Sequence, residues 1–294
     1  MKKTGLKNSG SQKVAFILAF ILLFAYTVYV LFFFYFAIVC ALKTDNNAYM
    51  IDKLSKKLVN WTALPNFKNF TEAFDQLETV LRGYSFTIMT WNSIWRTVTS
   101  SILSIMSSAM VCYVVVFYRS KLTKWIYNIG IFVALFPVYG SAGATYRLMD
   151  NLNFINNPVN MITSISLFGG YFFYMYAFMK SLSWEYAEAA FIDGAGHFRT
   201  FFRIMFPMAL PSVSALFIMS FIAGWNDYES TLLYMNAYPN LSYGIYAFSE
   251  NQKYVANMPG LFAGVIITLL PVLILFLVFQ NTIMEKVHLG GLKG

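Results

Sequence analysis

Asp227 and Glu229 are the first residues whose types and spacing suggest chemistry, because two carboxylates can divide the roles of acid and base in cleaving a glycosidic bond. The pair alone does not define that reaction, and no nucleophile or metal constellation accompanies it. His197 and His288 are the only histidines and fall in separate segments, which leaves no histidine-rich metal site. Cys40 and Cys112 each lie in an apolar run, where free cysteine packs as a small hydrophobe and points to neither a disulfide framework nor a zinc site. Gly194 and Gly196 are too few for a dinucleotide fingerprint. The sequence also contains no Gly-Lys pair, so the phosphate-cradling loop G-x-x-x-x-G-K-[ST] is not present. No catalytic residue and no bound cofactor are expected of this chain.

The same acids suggest a different use. Trp225, Asn226, Asp227, Tyr228 and Glu229 fall at the outer end of a charge-free run, residues 204–226, where polar groups normally face protein or a water-filled cavity. An aromatic face packs on the apolar side of a sugar ring while amide and carboxylate oxygens meet its hydroxyls, so the cluster suits a translocation path or gate. The alternative is an interfacial belt, with Trp225 and Tyr228 at headgroup level and Asp227 near water. A structural or gating role fits the position better than direct contact with a sugar. Arg96, near the start of another span, is a second polar candidate that can equally snorkel to the interface.

A third charged stretch, residues 185–207, interrupts the apolar runs with its own helix signals. Ser183 can accept from the free amides of a new helix, and Glu185 then sits in a first turn that favours a carboxylate. The helix runs from about Trp184 to Phe191 and ends at Asp193 and Gly194, where glycine tolerates a left-handed backbone and Asp193 can cap the next element. A second element from His197 to about Met205 is expected to carry Phe198, Phe201, Phe202 and Met205 on one face and Arg199 and Arg203 on another. The resulting helix, bend and helix reads either as a docking surface or as an amphipathic element lying on lipid headgroups.

The elements that must position these residues are membrane helices. The chain is 58% hydrophobic and 12% charged, half the charge of a typical soluble domain at about a quarter. A bilayer core of roughly 30 Å needs about 20 apolar residues. Six charge-free runs reach that length: residues 14–42, 97–118, 125–146, 151–179, 204–226 and 254–284. One spanning helix is expected in each, giving an all-α membrane protein with six transmembrane helices. The first run is too long for a signal-peptide core and lacks a small-x-small cleavage site.

Orientation is set by Lys and Arg near the helix ends. Lys2, Lys3, Lys7, Lys13, Arg119, Lys121, Lys124, Lys180, Arg199, Arg203, Lys286 and Lys293 all fall on one side, against Arg147 and Lys253 in the short loops opposite. Both termini are therefore expected in the cytoplasm. Residues 43–84 carry six basic residues on the outer side, offset by five acids. There Asn69 or Thr71 can cap a short helix beginning at Glu72. The basic residues are spread over loop ends and form no single stripe, which argues against nucleic acid. In the second span Ser100, Ser104 and Ser108, with Ser101, Ser107 and Ala109 beside them, give a small face that lets a neighbouring helix come close. Pro137, Pro211 and Pro271 fall inside or near the starts of spans and bend helices there.

The stretch Glu188-Ala189-Ala190, Asp193-Gly194-Ala195, then Phe202, Ile204 and Pro207, resembles the EAA loop of the membrane subunits of bacterial ABC importers, specifically the sugar-importing class. The run from Phe221 to Tyr228, Leu270 with Pro271 and Val272, Asn92 with Ser93, and the tail from Gly290 to Gly294 resemble the same class, the tail matching the maltose-permease type. The resemblance covers roughly residues 92–294. It implies the type I importer permease architecture, with residues 1–85 as an N-terminal helix plus extracytoplasmic segment. Residues 86–294 would be a five-helix core with the coupling loop at about 183–205.

By the same resemblance, the loop inserts into a cleft on a cytoplasmic ATPase. Glu188 would contact basic groups there, Ala189 and Ala190 would allow close approach, and Asp193 and Gly194 would form the bend. Tyr238, Asn240, Tyr243 and Tyr246, in the Tyr- and Asn-rich last outer loop, would face an extracytoplasmic sugar-binding protein. The implied assembly has a second permease subunit, two ATPase subunits that bind ATP and Mg, and that binding protein, all at the bacterial cytoplasmic membrane. The competing reading is a secondary transporter or channel with an interfacial loop, which predicts an ion-ligand cluster deep in a span; the sequence offers none.

Overall fold

The computed structural model describes residues 10–61, 64–81, 83–118, 120–135, 142–168, 170–251 and 257–287. Every regular element among them is helical, and the chain divides into two compact units.

The first unit takes residues 1–76 and 248–267. Its long helix α1 (Gly10–Ala41) is exposed along most of its apolar length and becomes buried only at Val39, Cys40 and Ala41, with Leu42 just beyond its end buried as well. There the chain turns, and Lys43, only 2% exposed, donates to Asp52 Oδ2 at 2.6 Å and to the Asn60 carbonyl at 3.0 Å. Asp45 caps α2 (Asn46–Leu54) by accepting from the Ala48 amide at 2.7 Å, as short polar side chains do at helix starts. The helix α3 (Lys68–Val80) begins four residues before the expected Glu72, with Asn66 Oδ1 accepting from the Lys68 amide at 3.1 Å. Asn69 is no cap: it is buried and donates to the Ala41 and Lys43 carbonyls at 2.7 and 2.8 Å, satisfying the end of α1. Ala41, Ala73 and Ala263 meet in a small core against Phe70 and Phe262.

The second unit takes residues 77–247 and 268–294, and its axis is α4 (Phe86–Phe117). Met89, Ser93, Thr97, Ser101, Ile105, Ala109 and Tyr113 recur every fourth residue and are buried, so one face of α4 carries the packing. On it pack α5 (Lys121–Leu135), a 3-10 turn (Pro158–Ser164) and α7 (Phe172–Ser181), while α6 (Ala142–Asn151) precedes the 3-10 turn and α8 (Glu185–Ile192) and α9 (His197–Thr200) follow α7 in the chain. A π-turn (Phe201–Met205), α10 (Phe206–Trp225), α11 (Glu229–Tyr234), α12 (Leu241–Asn251) and α13 (Met258–Val287) come next, α12 and α13 each extending over both units. The core joins Cys112 of α4, Phe172, Met175 and Met179 of α7, Ala187 of α8, and Phe201, Met205 and Ala209. The small face of α4 behaves as expected at Gly224, where an added Cβ would lie 3.2 Å from Thr97 Cγ2.

Among the described residues, four helical stretches are long and apolar enough to cross a membrane: Lys13–Ala41, Phe86–Phe117, His197–Trp225 and Met258–Gln280. The expectation of one continuous helix in each apolar run fails in the fourth, residues 151–179. Asn157 and Pro158 start a 3-10 turn there, and α7 is a separate helix of ten residues, roughly 15 Å long. In the third run α5 ends at Leu135 and α6 begins at Ala142; Pro137 lies outside the described residues, as do His288 and the tail from Gly290.

Candidate functional site

The first candidate is the bend between α8 and α10. Ser183 Oγ accepts from the Glu185 amide at 3.3 Å, and α8 places Glu185 and Glu188 in its first turn. Gly194 has φ +77, the left-handed region expected of it, and the Ala195 amide donates back to the Ala190 carbonyl at 2.9 Å to close the helix end. Asp193 terminates α8 and does not cap the next helix, whose N-cap is Gly196 without a side-chain bond.

The second element is not a separate helix: α9, the π-turn and α10 form one continuous stretch. Pro207 lacks the amide that an α-helix would direct at residue 203, and the wider turn, closed by the Phe206 amide on the Phe201 carbonyl, precedes it. The expected apolar face also divides. Phe201 and Met205 enter the core, whereas Phe198 and Phe202, one turn apart on another face, are exposed.

On α8 the exposed residues include Glu188 and Ala189, while Ala190 and Ala187 are buried against the chain itself. What fixes the pose of α8 is an aromatic brace that sequence reasoning passed over. Trp184 stacks on Phe117 at 5.0 Å and meets Phe191 at 5.7 Å. His197 is hydrogen-bonded through Nδ1 to the Tyr118 hydroxyl and packs on Phe191. Tyr118 and His197 are far apart in sequence, so no local pattern could reveal their pairing.

The second candidate is a polar cavity of about 100 Å³. Arg96, Thr97 and Ser100 of α4, Asn160 and Thr163 of the 3-10 turn, and Asp227 and Asn240 line it. Arg96 is 7% exposed; its Nη1 donates to Thr231 Oγ1 at 2.6 Å and to the Tyr238 carbonyl at 3.2 Å, while its Nε is buried without a partner. The guanidinium thus turns inward and does not snorkel. Asp227 Oδ1 accepts from the Ser230 amide at 3.0 Å, and its carbonyl accepts from Asn240 Nδ2 at 2.8 Å.

The segment after α11 is fastened to the start of α4. Asn92 Nδ2 donates to the Pro239 carbonyl at 3.0 Å, the Leu241 amide donates to Ser93 Oγ at 2.8 Å, and Trp95 lies edge-on to Tyr238 at 6.2 Å. From the other side, the Ala237 amide donates to Asn156 Oδ1 at 2.9 Å.

Of the residues singled out at the end of α10, only Asp227 lines this cavity. Trp225 is buried, donates from Nε1 to the Thr268 carbonyl at 3.1 Å and stacks on Phe221. Asn226 returns its amide to the Ile222 carbonyl at 2.9 Å, and Tyr228 stacks on Tyr246 at 4.5 Å with Tyr243 beside it. Asn240 is buried, and its Oδ1 accepts from the Tyr243 amide at 3.0 Å at the start of α12. Thr231 and Asn160 carried no sequence signal. Their importance comes from facing Arg96 and the cavity across long stretches of chain.

Long apolar helices that gather polar side chains among them are those of an integral membrane protein. The chain belongs to the family of binding-protein-dependent transport system inner membrane components, which it matches over residues 10–287. It is 31% identical to the diacetylchitobiose uptake system permease protein NgcG of Streptomyces coelicolor, over 69% of this chain and 68% of that protein. It is 27% identical to the melibiose/raffinose/stachyose import permease protein MelC of Bacillus subtilis, over 78% of this chain and 82% of that protein. Its fold is similar to a chain of a bacterial ABC transporter involved in the import of the acidic polysaccharide alginate. The TM-score is 0.72 over 93% of this chain and 98% of that one, at 18% identity.

Proposed function

We propose that this chain is the permease subunit of an ATP-driven, binding-protein-dependent sugar importer, forming half of a translocation path. The observation that carries the reading is the family match over nearly the whole chain, joined by relatives named as permeases for the uptake of sugars. The other half of the path is a second permease subunit. The third and fourth of six passes are built from α5 with α6 and from the 3-10 turn with α7, and both termini lie in the cytoplasm.

The α8 bend is the coupling loop. Glu188 and Ala189 on its exposed side meet a basic cleft on one of two ATPase subunits, which bind the ATP and Mg. Ala190 keeps α8 close to its own chain, and Asp193 with Gly194 sets the direction of the return. This permease is non-catalytic; its part is to convert movement of α8 into movement of α10, to which the bend is joined without a break. At the other end, Trp225, Asn226, Asp227 and Tyr228 shape the gate. The segment with Tyr238, Asn240, Tyr243 and Tyr246 faces the extracytoplasmic binding protein, through Tyr238, Tyr243 and Tyr246 directly and through Asn240 as its buried support. Sugar uptake into vesicles carrying this chain, its partner permease and the ATPase is expected to require both ATP and the binding protein; uptake at full rate without either overturns the reading.

A further inference from the structure

A cavity of about 860 Å³ opens at the end of α4 where the chain leaves its apolar span, bounded by the first turn of α5, the end of α7 and Trp184. Lys121, Lys124 and Lys180 contribute three ammonium groups to it, and no carboxylate lines it among the described residues. None of the three has an acidic partner within the described chain, in contrast to Lys43, which is neutralised by Asp52. One wall is apolar, formed by Val115, Val116 and Leu182. Three like charges around one solvent-open cavity give it a positive potential that favours an anion.

We infer that this cavity binds the phosphate of an anionic phospholipid headgroup. A phosphate meets several lysines at once, and basic pockets between membrane helices are suited to lipid headgroups. The same oxygens are carried by a soluble phosphate, but only a lipid also uses the apolar wall, along which the first carbons of its chains can run. The position fits as well, because the end of a spanning helix is where headgroups lie. The inference does not depend on sugar transport or on the coupling role of α8.

The test is native mass spectrometry of the full chain in detergent micelles titrated with phosphatidylglycerol, with phosphatidylcholine as the zwitterionic control. Retention of phosphatidylglycerol over phosphatidylcholine is expected. It should fall by about a hundredfold when Lys121, Lys124 and Lys180 are all changed to alanine, since each basic residue near anionic lipid is worth about fivefold. Changing all three to arginine should restore it. If the triple alanine variant does not fold, Lys180→Gln alone is expected to lower retention about fivefold. Retention that neither alanine nor glutamine substitution changes overturns the site. Displacement of the lipid by inorganic phosphate at equal concentration overturns the lipid as the occupant.

Discussion

Replacing Arg96 by Met, with Thr231→Val as its partner in a double-mutant cycle, examines how α11 and the segment after it are held to α4. The guanidinium makes one short bond to Thr231 Oγ1 at 2.6 Å and a longer one to the Tyr238 carbonyl at 3.2 Å. A hydrogen bond to a charged group contributes about 1.5–3 kcal/mol and a longer one less, while the unpartnered Nε already costs something that Met removes. The net loss for Arg96→Met is therefore about 2 kcal/mol. The two substitutions share one bond, so a coupling of about 1–2 kcal/mol is expected between them. The assay is reversible unfolding of the full chain in mixed micelles, monitored by tryptophan fluorescence, to which Trp95 contributes through its edge contact with Tyr238 at 6.2 Å. A coupling energy near zero, with Arg96→Met within about 0.3 kcal/mol of the parent, refutes the argument that this buried cation fastens the segment.

Three further outcomes are expected from the geometry. Gly194→Ala places a Cβ at φ +77 in otherwise open space, so the same unfolding assay should show a loss of about 1–2 kcal/mol from backbone strain alone, with Gly194→Asn milder. Gly224→Ala brings a Cβ to 3.2 Å from Thr97 Cγ2, a crowding set against the roughly 1 kcal/mol that Ala gains over Gly within a helix, so the substitution should be more favourable by about 1 kcal/mol in a Thr97→Ser background, which lacks that methyl. Asp52→Asn leaves the ammonium of Lys43 buried without its counter-charge. It should destabilise the chain in the same assay by about 2–4 kcal/mol, while Lys43→Met combined with Asp52→Asn recovers most of that.

The sequence made the membrane class legible because solvent selects composition over long windows: runs of more than 20 uncharged residues have no other common use. It made the bend at Gly194 legible because glycine at a helix end is a local signal with a local cause. The continuity of the apolar runs was a poorer guide. In residues 151–179 hydropathy favours a span throughout, yet Asn157 and Pro158 break the helix, and apolar residues cover a 3-10 turn and a short α7 equally well. The division of Phe198 and Phe202 from Phe201 and Met205 was hidden for a related reason: an aromatic stripe does not reveal which side a neighbouring helix will occupy. Arg96 was visible as a charge at a helix start, but its inward turn depends on Thr231 and the Tyr238 carbonyl, well over a hundred residues away in sequence. The Tyr118 and His197 pair that braces α8 is likewise a product of tertiary packing.

The central claim, that α8 transmits the work of an ATPase to this chain, is tested most directly by Glu188→Lys in reconstituted vesicles, with sugar uptake and ATP hydrolysis measured together. Glu188 is exposed in the first turn of α8, so reversing its charge spares the buried core, while under the proposed coupling it would oppose a basic cleft on the ATPase. Uptake is expected to fall to the level of vesicles lacking the ATPase, with hydrolysis no longer stimulated by the loaded binding protein. Uptake and stimulated hydrolysis that both persist at the parent rates would contradict the account.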